Sequence, residues 1–249
     1  MKNIIFMIDI KLEEKKNRTD AYKYSIDSWK RWGEKHNAEV MVLNEPLFDF
    51  AEMRPNWYKY YVFQLLEQSG VEYDQVLYVD SDTIVHPDCP NVFEMSERKY
   101  CIVHNEGSYD WLLRSMENYS KHLFGGYMFD FNKYFNSGFM IANKDHAPFY
   151  NAILQFYQEN KKTIVWLQET YSVGTDQPIV NFLLNMYEID YKVLPYEFNM
   201  TDLALHEGLT EDLLFWKFGY VAHFNAIPNN TESRLSNQWM QHTYERTWK

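Results

Sequence analysis

Apolar residues recur along this chain in two rhythms, one of strands and one of helices. The run "NIIFMID" (Asn3 to Asp9) is short, mostly apolar and soon followed by charge, as in a central strand that opens a fold. In "TDAYKYSIDSWKRWGEKH", Ala21, Tyr22, Ile26, Trp29 and Trp32 return at helical spacing, and Thr19 or Asp20 is placed to cap the first turn. "AEVMVLN" (Ala38 to Asn44) reads as a second strand. "NWYKYYVFQLLEQSG" reads as a second helix that starts near Pro55 and Asn56 and stops at Gly70. "QVLYVD" (Gln75 to Asp80) is a third strand, buried on both faces. Strand–helix–strand–helix–strand order predicts an α/β fold with a parallel sheet and crossover helices. In such sheets ligands bind beyond the carboxyl ends of the strands.

The second half is less regular. "KYCIVHN" (Lys99 to Asn105) and "SGFMIANK" (Ser137 to Lys144) read as strands, and "YKVLP" and "YVAHFN" as short late ones. "YDWLLRSMENYSKHLF", "APFYNAILQFYQENKK" and "DQPIVNFLLNMY" read as helices, and "FGGYMFDFN" as a loop around the chain's only Gly-Gly pair. No repeat, low-complexity tract or linker divides the sequence, so residues 1–249 are expected to form one domain.

Composition narrows the function. Of 249 residues, 46% are hydrophobic, enough for a substantial core. The 20 Tyr and 8 Trp supply surfaces with an apolar face and a polar tip, which suit sugars and nucleobases as well as ordinary cores. The net charge of −11 argues against a nucleic-acid partner. A chain this acidic can still take a phosphorylated small molecule if a metal or a few local cations supply the field. Two cysteines, Cys89 and Cys101, exclude a disulfide scaffold or a four-thiolate zinc site. No run approaches the roughly 18 apolar residues of a membrane span, and "MKNIIFMIDIKLEEKK" lacks the features of a signal peptide. The expectation is a soluble cytoplasmic protein without an integral membrane segment, in which the sequons at Asn17 and Asn118 carry little weight.

The candidate chemistry sits at the end of the third strand. In "YDQVLYVDSDTIVHPDCP" a buried strand ends by presenting Asp80 and Asp82 together. Two such carboxylates repel one another and are costly to desolvate, so a cation between them is the natural reading. Alternate strand residues share a face, and hard divalent cations are held by one or two carboxylates plus substrate phosphate oxygens. "YVDSDTIV" also resembles the first motif of haloacid-dehalogenase-like phosphatases, which implies Asp80 as a phosphoryl nucleophile. That family places its motif on the first strand, however, and its downstream acidic motif is missing here.

A wider set of motifs resembles another family. "YDQVLYVDSDTIV", "FNSGFMIANK", "TDQPIVNFLL" and "VAHF" follow in the order seen in GT-A-fold glycosyltransferases, most closely the glycogenin-like glycosyltransferase family 8, over roughly Lys59 to Phe224. The resemblance implies a GT-A, Rossmann-like fold and a metal-dependent transferase. The donor is expected to be a nucleotide-sugar, with UDP as its nucleotide, and the acceptor a carbohydrate or other hydroxyl. Anomeric configuration is expected to be retained.

It implies Asp80, Asp82 and His223 as ligands of Mn²⁺ or Mg²⁺; imidazole favours Mn²⁺. Asn136, Ser137 and Gly138 would line the donor-sugar pocket, with Lys59, Ser81 and Asp9 at the donor as well. Asp176 and Gln177 would face the reaction centre, although Thr175 or Asp176 with Pro178 is also good helix-start chemistry. One departure stands out. The family commonly continues its His segment as Gly-x-x-Lys-Pro-Trp, whereas this chain reads "HFNAIPNNTESRL". The diphosphate-binding lysine therefore has no counterpart, with Arg234 as one substitute. The departure also keeps open a non-catalytic carbohydrate- or nucleotide-binding protein of the same fold.

Overall fold

The opening apolar run forms β1 (Lys2–Ile8), the second strand of a six-stranded sheet. The computed structural model describes residues 1–11, 19–107, 109–227 and 235–249. On one side β1 pairs in parallel with β2 (Ala38–Leu43), and on the other with β3 (Tyr73–Val79). The chain thus leaves β1 for one neighbour and returns on the opposite side. The carboxyl ends of β1 and β3 then flank the crevice where α/β sheets bind ligands.

The connection between β1 and β2 is α1 (Tyr22–Lys35), which buries Trp29 and Trp32 against the sheet. Its N-cap is Ala21, and no side chain caps it, so neither Thr19 nor Asp20 plays that part. The second connection begins as a 3₁₀ turn over Pro55–Tyr61 and only then becomes α2 (Val62–Ser69). Trp57, Tyr58, Lys59 and Tyr60 are all buried, so this segment is enclosed on more than one face, and apolar spacing alone does not separate the two windings. Gly70 closes α2 at φ 67°, a left-handed position that glycine takes without strain.

After β3 come β4 (Thr83–Val85), the short α3 (Val92–Met95), β5 (Tyr100–His104) and α4 (Tyr109–Leu123). Then follow β6 (Phe135–Asn143), α5 (Ala147–Tyr171), α6 (Gln177–Met186), β7 (Tyr191–Leu194), β8 (Val221–His223) and α7 (Leu235–Trp248). The main sheet runs β2-β1-β3-β6-β5-β7, and only β6 is antiparallel to its neighbours. Alternate residues of its strands feed two cores. Phe6, Tyr78, Ile102 and Met140 lie in one, with Phe149 of α5 and Phe182 of α6; Met7, Leu77, Phe139 and Ile141 lie in the other, with the α1 tryptophans. The expected parallel half and mixed second half are both present.

Two helices differ from expectation. α5 runs nine residues past Lys162, because Ile164 and Leu167 continue the buried stripe of Ile153, Leu154 and Tyr157. The polar run before them covers only the solvent face. α7 has no counterpart in the reading from sequence. Leu235, Trp239, Met240, Tyr244 and Trp248 do recur at helical spacing, but polar residues dilute the signal. α7 packs on α1, where the Tyr244 hydroxyl donates to Asp27 and Arg31 donates to the Trp248 carbonyl at 3.0 Å. No described helix is long and apolar enough to cross a membrane.

Candidate active site

Where β3 leaves the sheet, Asp80 N–H still donates to the Gly138 carbonyl of β6 at 2.9 Å. The loop is pinned twice more: Ser81 Oγ donates to the Ile8 carbonyl at 2.7 Å, and Thr83 Oγ1 to the Asp80 carbonyl at 2.8 Å. The chain then enters β4, which pairs antiparallel with β8 so that Thr83 stands opposite His223. Phe224 N–H donates to the Asp82 carbonyl at 2.8 Å. This two-stranded sheet brings a distant imidazole to the carboxylates. His223 Nε2 lies 3.1 Å from Asp82 Oδ1 and 3.7 Å from Asp80 Oδ2, and one ligand atom from each of the three residues falls within 4.8 Å of the others.

Two carboxylate oxygens and one imidazole nitrogen in that space fit a divalent cation. Burial pushes the His223 pKa down, but the charges of Asp82 and Asp80 outweigh it and the net shift is upward.

A bulge in β6 shapes the neighbouring wall. Ile102 pairs with Met140, yet the next residue, Val103, pairs with Asn136, which leaves residues 137–139 unmatched on β5. Bulges recur beside active sites because they re-aim side chains. A Cβ on Gly138 would lie 2.5 Å from Asp80 Oδ2, 2.7 Å from His223 Cε1 and 2.8 Å from Asn136 Oδ1, so these side chains, two of them candidate metal ligands, occupy the space a side chain would need. Asn136 donates to Asn105 Oδ1 at 3.2 Å, and Gln177 accepts from Ser137 N–H at 3.1 Å.

Below this wall lies a buried ion pair. Lys59 Nζ is 3.0 Å from Asp176 Oδ2 and 3.9 Å from Asp80 Oδ1, and it also donates to the Ser137 carbonyl and hydroxyl at 3.2 and 3.3 Å. Tyr60 and Ser137 hydroxyls donate to Asp176 Oδ2 at 3.0 and 3.1 Å, and Thr175 to Oδ1 at 2.9 Å. Burial opposes both charges. For Lys59 it is outweighed by Asp176, then Asp80 and Asp82, and the pKa rises. For Asp176 it is outweighed by Lys59 and by the donated hydrogen bonds, and the pKa falls. Asp176 is the N-cap of α6 by position, but its carboxylate caps nothing; it serves the ion pair instead. Tyr78 donates to Asp80 Oδ1 at 2.5 Å. Burial, then Asp80, keeps that phenol protonated.

Most residues singled out from sequence meet here: Asp80, Asp82, His223, Asn136, Ser137, Gly138, Lys59, Asp176 and Gln177. Ser81 also faces the crevice, although its hydroxyl is spent on Ile8. That crevice, about 160 Å³, is lined by Ile8, Ile10, Tyr22, Asn56, Tyr78 and Asp82 among others. Asp9 lies apart, at the end of β1. Burial raises its pKa, and its Oδ1 has no hydrogen-bond partner among the described residues. Arg234 lies outside the described residues. Sequence reasoning missed Tyr60, Tyr78, Asn105 and Asn199. Only Tyr78 had a signal, since strand alternation places it on the side of Asp80.

This fold, with a candidate metal site at its strand ends, is that of a GT-A-type glycosyltransferase. The chain belongs to glycosyl transferase family 8, whose model matches residues 3–240, a wider span than the four motifs occupy. That membership removes the phosphatase alternative. No curated protein sequence is significantly similar to the chain. Among solved structures, it is similar to a glycosyltransferase involved in the glycosylation of the major capsid of PBCV-1, with a TM-score of 0.60 and 14% identity over 97% of this chain and 99% of that one. It is also similar to the apo form of glycosyltransferase GlyE of Streptococcus pneumoniae TIGR4, with a TM-score of 0.55 and 14% identity. That alignment covers 99% of this chain but 62% of GlyE. At such identities the likeness bears on the fold.

Proposed function

We propose that the enzyme transfers a sugar from a uridine diphosphate donor to an acceptor hydroxyl with retention of configuration, using Mn²⁺ held by Asp80, Asp82 and His223. The convergence of two carboxylates from the loop between β3 and β4 with the imidazole at the end of β8 is the observation that carries the reading. When bound, the cation would supply Lewis-acid stabilisation of the charge left on the diphosphate. The crevice between β1 and β3 accommodates the nucleoside, with Ile8, Ile10 and Tyr22 as its apolar walls.

Asn136, Ser137 and Gly138 present the donor sugar with an amide and a close backbone. Lys59 has its three N–H donors engaged by Asp176 and Ser137, so it offsets the carboxylates and does not reach for phosphate. Asp176 receives donors on both oxygens and is buried, which makes it a fixed anion in place of a nucleophile. It holds Gln177 at the start of α6, where the amide faces Asn105 and the bulge.

Replacing Asp82 with Ala is expected to weaken Mn²⁺ binding by at least tenfold and to reduce sugar transfer in parallel. Paramagnetic resonance of free Mn²⁺ and a donor-consumption assay read the two effects. Equal affinity and rate in variant and parent would refute the assignment. Thermal shift with UDP, GDP, ADP and CDP, each with and without Mn²⁺, tests the nucleotide. Only UDP is expected to raise the melting temperature strongly, and only with the metal.

A further inference from the structure

Behind His223 stands Asn199, which is fully buried and belongs to none of the motifs. Its Oδ1 lies 2.9 Å from His223 Nδ1, and its Nδ2 lies 3.1 Å from Asn136 Oδ1. Asn136 Oδ1 is in turn 2.9 Å from the backbone N–H of Gly138. A backbone N–H can only donate, so Asn136 must present oxygen to it. The orientation of Asn136 is set independently at its other end. There Nδ2 meets Asn105 Oδ1 at 3.2 Å, and Asn105 Nδ2 is committed to the Gly107 carbonyl, which can only accept, at 3.1 Å.

With Asn136 fixed from both sides, Asn199 must turn its amino group toward Asn136 and its oxygen toward His223. The imidazole must then carry its proton on Nδ1. In the neutral ring this leaves the Nε2 lone pair on the side of Asp80 and Asp82, 3.7 and 3.1 Å from their nearest oxygens.

We propose that Asn199 is a positioning residue for the metal site: it passes the polarity of the Gly138 backbone N–H through two amides to His223 and so selects the tautomer whose Nε2 can ligate a cation. The inference rests on the reading of Asp80, Asp82 and His223 as metal ligands. It adds that the donor-pocket amide Asn136 and the metal ligand His223 are oriented by one hydrogen-bonded ladder. Partners of this kind typically change metal affinity by about 10–100-fold when removed.

Two measurements test it. In chelator-treated protein, at a pH high enough to leave every histidine neutral, long-range ¹H–¹⁵N correlation of the imidazoles reads which nitrogen is protonated. His223 is assigned by the signal lost in His223→Gln. Protonation at Nδ1 is expected, and protonation at Nε2 overturns the proposal. In the second, Mn²⁺ affinity is compared among parent, Asn199→Leu and Asn199→Asp. Leucine removes the acceptor and is expected to weaken binding by about 10–100-fold; aspartate keeps an acceptor for Nδ1–H and is expected to restore most of the loss.

A merely structural asparagine would lower the melting temperature in both variants without this split. A folded Asn199→Leu that binds Mn²⁺ like the parent also overturns the proposal. If that variant does not fold, the tautomer measurement decides. A parent with the expected tautomer and no Mn²⁺ affinity would overturn the metal reading while leaving the ladder in place.

Discussion

Gly138→Ala is expected to abolish tight Mn²⁺ binding and to lower sugar transfer at least a hundredfold while the protein stays folded. A methyl group at this position would stand 2.5 Å from Asp80 Oδ2 and 2.7 Å from His223 Cε1, closer than carbon atoms pack. The neighbours have little freedom to yield. Asp80 is held by the Tyr78 hydroxyl, His223 by its hydrogen bond to Asn199, and Asn136 by the backbone N–H of Gly138 itself. Relief therefore has to come from rotation of the ligands away from the position where they converge. Overpacking of this kind costs about 1–3 kcal/mol, which a chain of this size tolerates, so the melting temperature should fall by about 2–12 °C. The decisive comparison is a circular dichroism melt beside a Mn²⁺ titration. A folded alanine variant with parental metal affinity would mean that the bulge does not press on the ligands at all.

How much of this was legible follows from the range of the interactions. The order of β1, α1, β2, α2 and β3 follows from local periodicity, and Asp80 and Asp82 lie within one turn of the strand that presents them. His223 was legible only through family resemblance, because its partner strand β4 is three residues long and carries no periodicity of its own. Asn199 lies outside both kinds of signal. It sits at the end of a 3₁₀ turn, Tyr196–Phe198, and its partners come from β8 and from the bulge in β6. Tyr60 looked like one more aromatic in a helix, and its hydroxyl matters because the fold brings Asp176 to it. Asp176 itself was open to two readings, cap or site residue. Its carboxylate makes no cap hydrogen bond and pairs instead with Lys59, a residue far away in sequence that arrives buried and needs an anion.

That pairing supports the second large prediction, a double-mutant cycle on stability. Lys59→Met leaves Asp176 buried without its cation, and Asp176→Leu leaves Lys59 buried with only the more distant Asp80. Removing one partner of a buried pair typically costs about 3–5 kcal/mol, whereas replacing both by apolar groups is often close to neutral. Each single variant should therefore melt far below the parent, and the double variant should recover well above either single one.

The pH dependence has a definite sign. Asp176 is depressed in the fold, so its contribution is present above the ordinary carboxylate pKa and is lost as pH falls through the lower folded value. Lys59 is raised, so its contribution is present below the ordinary lysine pKa and is lost as pH rises through the higher folded value. Between these limits, across the whole neutral range, the difference between parent and double variant should stay flat. It should shrink only in strong acid or strong base.

Activity is expected to behave differently from stability. In the proposed mechanism Asp176 positions Gln177 and Lys59 offsets the Asp80 carboxylate, and neither role would be restored by leucine and methionine. The double variant should regain its fold without regaining transfer. Recovery of both together would mean that the pair is only structural, and additive losses in the singles and the double would mean that the two charges do not depend on one another.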